Sequence, residues 1–300
     1  MNNLRKILGN YYFRIAIFCF KYIRPISSRK FDTSEECLSC GAECRMYFNP
    51  WVINKRTLST WGNATTSFEY LIRESRFCRV CGAPYRVRRI SEILMLNLCK
   101  KGHTYLNQCI LSGELNNYSI LQLNEIGGAG SLQETLGALP NVVTTIYDPR
   151  YGFGDLIDGK SNQDMTNLTF ETNSFDIVLH SEVLEHVVDF KQAHSEAVRV
   201  LKPNGKLFFT IPVQLHNKET FSRIQLDASR NVLFVLPKIW HGWAGGPFAL
   251  LPRRDDYLEM HTFGEDIFTI LDSKLGNLEI HKSSSRFTSG ADWVFTFAKL

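Results

Sequence analysis

Past Cys109 the chain has no cysteine. All eight, Cys19, Cys37, Cys40, Cys44, Cys78, Cys81, Cys99 and Cys109, fall in the first 110 of 300 residues. A secreted disulfide framework would spread its bridges over the fold, so this crowding argues for a reducing, cytoplasmic setting and a local metal site. Long apolar runs are also missing. Arg14 and Lys21 bracket only Ile15 to Phe20, too short for a signal-peptide core or a membrane span, and no small-residue cleavage site follows. There is no P-loop, and "NEIGGAG" places Gly127, Gly128 and Gly130 so that neither register completes G-x-G-x-x-G. The common dinucleotide reading is thereby weakened.

What is present describes a globular chain: 44% hydrophobic and 21% charged residues, enough for one large core and a smaller module. The net charge of +4 conceals two unlike halves. Residues 1–110 carry 18 Lys/Arg against 7 Asp/Glu (+11), and residues 111–300 carry 16 against 23 (−7). Different partners are expected for the two regions. Residues 1–30 hold seven Lys/Arg and no acid, with Leu4, Ile7, Leu8, Tyr11, Ile15 and Phe18 near helical spacing. Such a helix either lies on the anionic inner membrane surface as a peripheral contact or docks on its own protein.

"CLSCG" at 37–41 and "CRVCG" at 78–82 are two copies of C-x-x-C-G. Two residues between cysteines let both thiolates reach one ion from a tight turn, and the glycine relaxes the backbone behind them. Cys37, Cys40, Cys78 and Cys81 are therefore the expected ligands of a structural zinc ion in a zinc-ribbon-like module spanning residues 31–110. Cys44 lies outside the repeated unit. After the second knuckle, Arg86, Arg88 and Arg89 precede an apolar helical pattern; they could grip a polyanion such as nucleic acid, or they belong to the solvated face of a linker helix.

From Ile120 strand-like and helix-like segments alternate, which predicts an α/β fold with a parallel sheet. Strands are expected near 120–124, 142–147, 161–165, 175–180 and 205–211, and helices near 131–138, 189–201 and 264–274. Two further apolar runs lie at 278–280 and 293–298. "LKPNG" at 201–205 reads as a helix stop and turn. Ligands of such sheets bind at the carboxyl ends of the strands. There Glu125 closes the first strand, Asp148 the second and Asp164 the third. An acid after the second strand can accept from ribose hydroxyls, one after the third from an adenine amino group, and one at the first can meet an ammonium. With no basic group placed to hold phosphate, the expected cofactor is S-adenosylmethionine.

The stretches "NEIGGAG", "NQDMTNLTFETNSFDIVLHSEVLEHV" and "EAVRVLKPNGKLFFTIPV" resemble successive motifs of the class I S-adenosylmethionine-dependent methyltransferases, particularly the small-molecule type. The resemblance covers about 118–213. It implies a Rossmann-like class I methyltransferase sheet over 111–300, with Glu125, Gly127 and Gly130 against the methionine part, Asp148 at the ribose, and Asp164 and Met165 around the adenine. It also implies His180 beside the reacting sulfur. Two features depart from the family pattern: the glycine order is E-I-G-G-A-G, and Asp148 is followed by "PRYGFGD".

The insertion at about 213–262 follows the fifth strand, where an acceptor pocket would be built. His241 is the expected base or acceptor-orienting group, and His186 of "LEHV" is a second candidate that otherwise ties a helix start to the sheet. Asp176 is expected to stabilise the turn before the fourth strand. Three functions remain open at this stage: methyl transfer to a small molecule or glycan, RNA methylation using the basic zinc module, and a catalytically silent scaffold.

Overall fold

In the computed structural model, residues 34–48, 73–74, 76–100, 102–124, 132–137, 139–239, 258–271, 276–282 and 293–300 are described. Glu125, Gly127, Gly130, His241 and the N-terminal stretch 1–30 lie outside them. The first module pairs β1 (Ser34–Glu36) with β2 (Glu43–Arg45), and β3 (Tyr47–Phe48) with β4 (Arg76–Phe77), both antiparallel. Helices α1 (Tyr85–Leu98) and α2 (Leu106–Leu111) follow. Pro84 precedes α1, where its fixed φ of −68° suits a helix entry and its missing N–H is no loss.

Eight strands form the main sheet: β5 (Ile120–Leu123), β6 (Val142–Ile146), β7 (Leu156–Ile157), β8 (Lys160–Asn162), β9 (Phe175–Ser181), β10 (Leu201–Thr210), β15 (Gly276–His281) and β16 (Val294–Lys299). Their order is β15-β16-β10-β9-β5-β6-β8-β7. The strands from β8 to β10 are parallel to one another, whereas β16 is antiparallel to β10 and β15 to β16. Strand order reverses beside β5, so a ligand crevice opens at the carboxyl ends of β5, β6 and β9. The expected third strand is half of a short hairpin, because "DLIDGKSN" turns at Asp158 and Gly159, both at positive φ, and pairs β7 with β8.

Alternation along the strands sorts the core into two layers. Ile177, Leu179, Phe208 and Val294 meet α1 through Val87, Ile90, Ile93 and Leu94, together with Leu132 and Leu136 of α3 (Leu132–Leu136). Leu121, Leu123, Val178, Leu207, Phe209, Phe295 and Phe297 meet α4 (Phe190–Arg199) and α5 (Ile267–Leu271). The apolar face of α4, Phe190, Ala193, Ala197 and Val198, keeps helical spacing, and Asp189 caps it by accepting from the Gln192 N–H at 3.0 Å. The linker helix thus supplies one of the two layers that bury the sheet.

"LKPNG" proves to be an irregularity within β10. Leu201 pairs with Phe175, and regular pairing resumes only at Lys206 with Ile177. Asn204 takes φ 64°, and a Cβ on Gly205 would stand 2.8 Å from the Lys202 carbonyl oxygen and 3.1 Å from that of Asp176. Asp176 behaves as expected: Oδ2 accepts from the Ser119 N–H (2.8 Å), the Ser119 hydroxyl (2.6 Å) and the Lys202 ammonium (2.8 Å). Burial opposes its ionisation, but these donors prevail and hold its carboxyl below the usual range.

Between β10 and α5 the insertion forms β11 (Phe221–Ser222), which pairs with β14 (His261–Thr262), and a hairpin of β12 (Ile224–Leu226) and β13 (Val232–Phe234). Among the described residues no helix is long and apolar enough to cross a membrane.

Candidate cofactor cleft and metal centre

Asp148 stands two residues past β6, and what fixes it is Asn162 at the end of β8. The buried Asn162 amide accepts from the Asp148 N–H (2.8 Å) and donates to the carbonyls of Asp148 (3.0 Å), Tyr151 (3.1 Å) and Gly152 (3.1 Å). One side chain thereby shapes the "DPRYG" turn. The Asp148 carboxylate is held by Arg150, with Nε 2.7 Å from Oδ1 and Nη2 bonded to Oδ2, and the backbone N–H of Arg150 adds a contact at 3.1 Å. That arginine is 70% exposed, so it can swing aside without unpacking a core.

Asp164 lies beyond β8 and accepts from the Thr166 N–H (2.8 Å) and hydroxyl (2.7 Å). Burial first, and the Asp164 charge second, push the Tyr147 phenol up. Met165 is buried beside Leu168 and Phe175.

His180 takes a different place from the one expected. It pairs with Leu123 and Phe209 near the strand ends, but its ring is fully buried and stacks on Phe209 at 5.0 Å between centroids. Burial holds its imidazole down to about 3. Because alternation turns residue 180 to the α4 side, the ring packs the core.

His186 sits in a 3₁₀ turn (Leu184–His186) after β9, where Nδ1 meets the Leu258 carbonyl at 2.9 Å. The Met260 N–H donates to the Glu185 carbonyl at 2.7 Å, so this turn ties the returning insertion to the sheet. His261 does similar work, bridging Ser222 (3.0 Å) and the Val187 carbonyl (2.9 Å).

In the first module the two knuckles fold alike. Cys37 N–H donates to the Ala42 carbonyl (3.0 Å) and Gly41 N–H to that of Cys37 (2.7 Å); Cys78, Ala83 and Gly82 repeat the pattern at 3.0 Å for both bonds. Gly41 and Gly82 adopt φ of 77° and 78°, and a Cβ on Gly41 would also strike the Tyr105 ring at 2.2 Å. The four sulfurs converge: Cys37 to Cys81 is 3.7 Å and Cys40 to Cys78 is 3.9 Å. A tetrahedron with Zn–S bonds of about 2.3 Å requires sulfur separations of about 3.8 Å, so the donor set fits zinc. Hydrogen bonding from Cys37 brings Cys40 down to about 7 and Cys78 also goes down, while Cys37 and Cys81, donating to them, are pushed up.

The module reaches the main sheet through charge pairs. Arg86 binds Glu74 through Nε (2.8 Å) and Nη2 (3.1 Å), and its Nη1 donates to the Ser181 hydroxyl, which lies 2.6 Å from that of Thr210. Arg73 pairs with Glu182. The module therefore abuts the carboxyl ends of β9 and β10. Arg88 pairs with Glu35, and Arg89 with Glu92; both are buried. The reading of Arg86, Arg88 and Arg89 as a grip on nucleic acid is thus corrected, since folding spends these charges on internal acids. Outside the knuckles, Cys99 and Cys109 are joined as a disulfide.

These geometries can be set beside known proteins. Residues 157–209 match the family described as "Methyltransferase domain". The ubiquinone biosynthesis O-methyltransferases of Bos taurus and Homo sapiens, both mitochondrial, are 30% identical over 146 residues, covering 41% of this chain and 36% of theirs. The chain thus spans about a third of the length of these relatives. Among solved structures, an S-adenosylmethionine-dependent methyltransferase from Mesorhizobium loti has a TM-score of 0.36 at 12% identity, covering 62% of this chain and 92% of its own. N-methyltransferase NodS from Bradyrhizobium japonicum WM9 has 0.33 at 16%, covering 63% and 90%. The Rossmann-like assignment of the sheet rests on its strand order and the antiparallel β16.

Proposed function

We propose that this protein transfers the methyl group of S-adenosylmethionine to a small molecule or glycan, and that a structural zinc ion organises its first module. The observation that carries the reading is Asp148, an acid fixed at the carboxyl end of the second strand beside the sheet's reversal of order. Its two oxygens match the two hydroxyls of a ribose. Asp164 and Met165 close the adenine side, and Glu125, Gly127 and Gly130 are assigned to the methionine end. The cofactor supplies an electrophilic methyl on a sulfonium sulfur. The protein's tasks are to orient the acceptor in line with that methyl and to exclude water.

The acceptor side lies at β9 and β10, where Ser181, Thr210 and Arg86 meet and the insertion returns over the 3₁₀ turn. His241 and His186 are the proposed acceptor-orienting groups. The internal pairing of Arg73, Arg88 and Arg89 favours a small acceptor over RNA. The relatives' printed activity, O-methyl transfer, makes hydroxyl acceptors the first class to screen. The test is release of S-adenosylhomocysteine with hydroxylated aromatics and glycans. Turnover that disappears in Asp148→Ala supports the reading. Absence of turnover with every acceptor, from protein that also fails to bind cofactor, would favour a silent scaffold.

A further inference from the structure

Cys99 and Cys109 lie apart from the knuckles, and their setting is unusual for a plain disulfide. Cys99 ends α1, its N–H donating to the Met95 carbonyl at 3.0 Å, and Cys109 is buried in α2; their Cα atoms are 6.0 Å apart. Glu114 brings a carboxylate to the same place. The two sulfurs and a Glu114 oxygen all lie within 4.8 Å of one another. That carboxylate is oriented on both sides: Oε2 accepts from the Lys100 N–H at 2.8 Å, and Oε1 lies 3.0 Å from His103 Nε2. A disulfide needs no such neighbour. Opened to two thiols, the same spot would offer two sulfurs and one oxygen to a cation that displaces the thiol protons.

We infer that Cys99, Cys109 and Glu114 form a second, redox-gated zinc site, with His103 positioning the carboxylate. Two thiolates and one carboxylate are a donor set that suits zinc, with the fourth position left to water. A ligating carboxylate is itself held by hydrogen bonds, the part that His103 and the Lys100 N–H play here. The gate is a balanced exchange. A dithiol reductant gives two electrons and two protons to the Cys99–Cys109 bond and becomes a disulfide itself, and zinc then displaces the two thiol protons.

Either state ties α1 to α2. The first two N–H groups of α2, Leu106 and Asn107, donate to the Leu38 and Ser39 carbonyls at 3.0 Å, and the Ser39 hydroxyl lies 2.8 Å from that of Ser91 in α1. The first knuckle is therefore clasped by the same two helices in both redox states, and reduction exchanges a covalent staple for a metal one.

The experiment is metal analysis with thiol counting on two samples, one left oxidised and one first opened by a phosphine reductant, which carries oxygen from water to phosphorus, each then loaded with zinc and desalted. The expected result is a gain of one zinc per chain on reduction. Glu114→Gln keeps the disulfide but loses the gain, and Cys109→Ser shows none in either state. No gain in the reduced wild type, or an undiminished gain in Glu114→Gln, overturns the inference. Absence of zinc from the oxidised protein would count against the knuckle site alone, because the increment is read separately.

Discussion

Asn162 is the residue on which the cofactor cleft turns, and nothing in its immediate sequence marks it. Its amide makes four bonds to a loop ten to fourteen residues away, a relation visible only once β6 and β8 are parallel neighbours. Asn162→Ala removes the four bonds that shape the Asp148 loop and should lower stability by about 1–3 kcal/mol. It should also weaken S-adenosylhomocysteine binding, as read by denaturant melts and titration; full affinity would mean the loop is held by other contacts. Asp148→Ala should weaken that binding by about 1–3 kcal/mol. Arg150 gives the opposite expectation. An exposed ion pair is worth about 0–1 kcal/mol, so removing an arginine that competes for Asp148 should tighten binding up to about fivefold. Weaker binding in Arg150→Ala would place the guanidinium on the ligand instead.

Among the elements, those with strong periodicity were legible. Strands β5, β6, β9 and β10 and helix α4 fall where apolar alternation and helical spacing put them, because burying one face forces both register and phase. Asp189 caps α4, so Asp189→Ala should cost about 0.5–2 kcal/mol in thermal or urea unfolding. A loss well below this would mean that another acceptor takes over the Gln192 N–H. What the sequence concealed was set by long-range pairing. The β7–β8 hairpin, the shifted pairing at Lys202–Gly205 and the inward phase of His180 depend on neighbours remote in sequence. The basic linker misled for the same reason: Arg88 meets Glu35 across 53 residues, so its charge pattern looked free while the fold had already matched it.

The whole molecule carries two imidazoles in a dry layer. Burial takes His180 down to about 3 and His194 to about 4. Unfolded, each titrates near about 6.5, so below that pH the unfolded chain binds protons that the folded chain refuses. Stability from these groups is therefore level above about pH 6.5 and falls as pH drops toward the folded values, by about 1 kcal/mol per pH unit for each imidazole. Chemical melts between pH 7 and 5 check this, and His194→Phe should flatten the slope; an unchanged slope would contradict the assignment. The first module and the sheet also share a core through α1, so losing the knuckle metal should be felt globally. Cys37→Ser with Cys78→Ser should remove the zinc and destabilise the module, and metal content equal to wild type would refute the four-sulfur site.

The most direct test of the account is calorimetric titration of the zinc-loaded chain with S-adenosylmethionine and S-adenosylhomocysteine. The account predicts saturable binding of both, one per chain, weakened in Asp148→Ala. A folded, zinc-loaded protein that binds neither would contradict it.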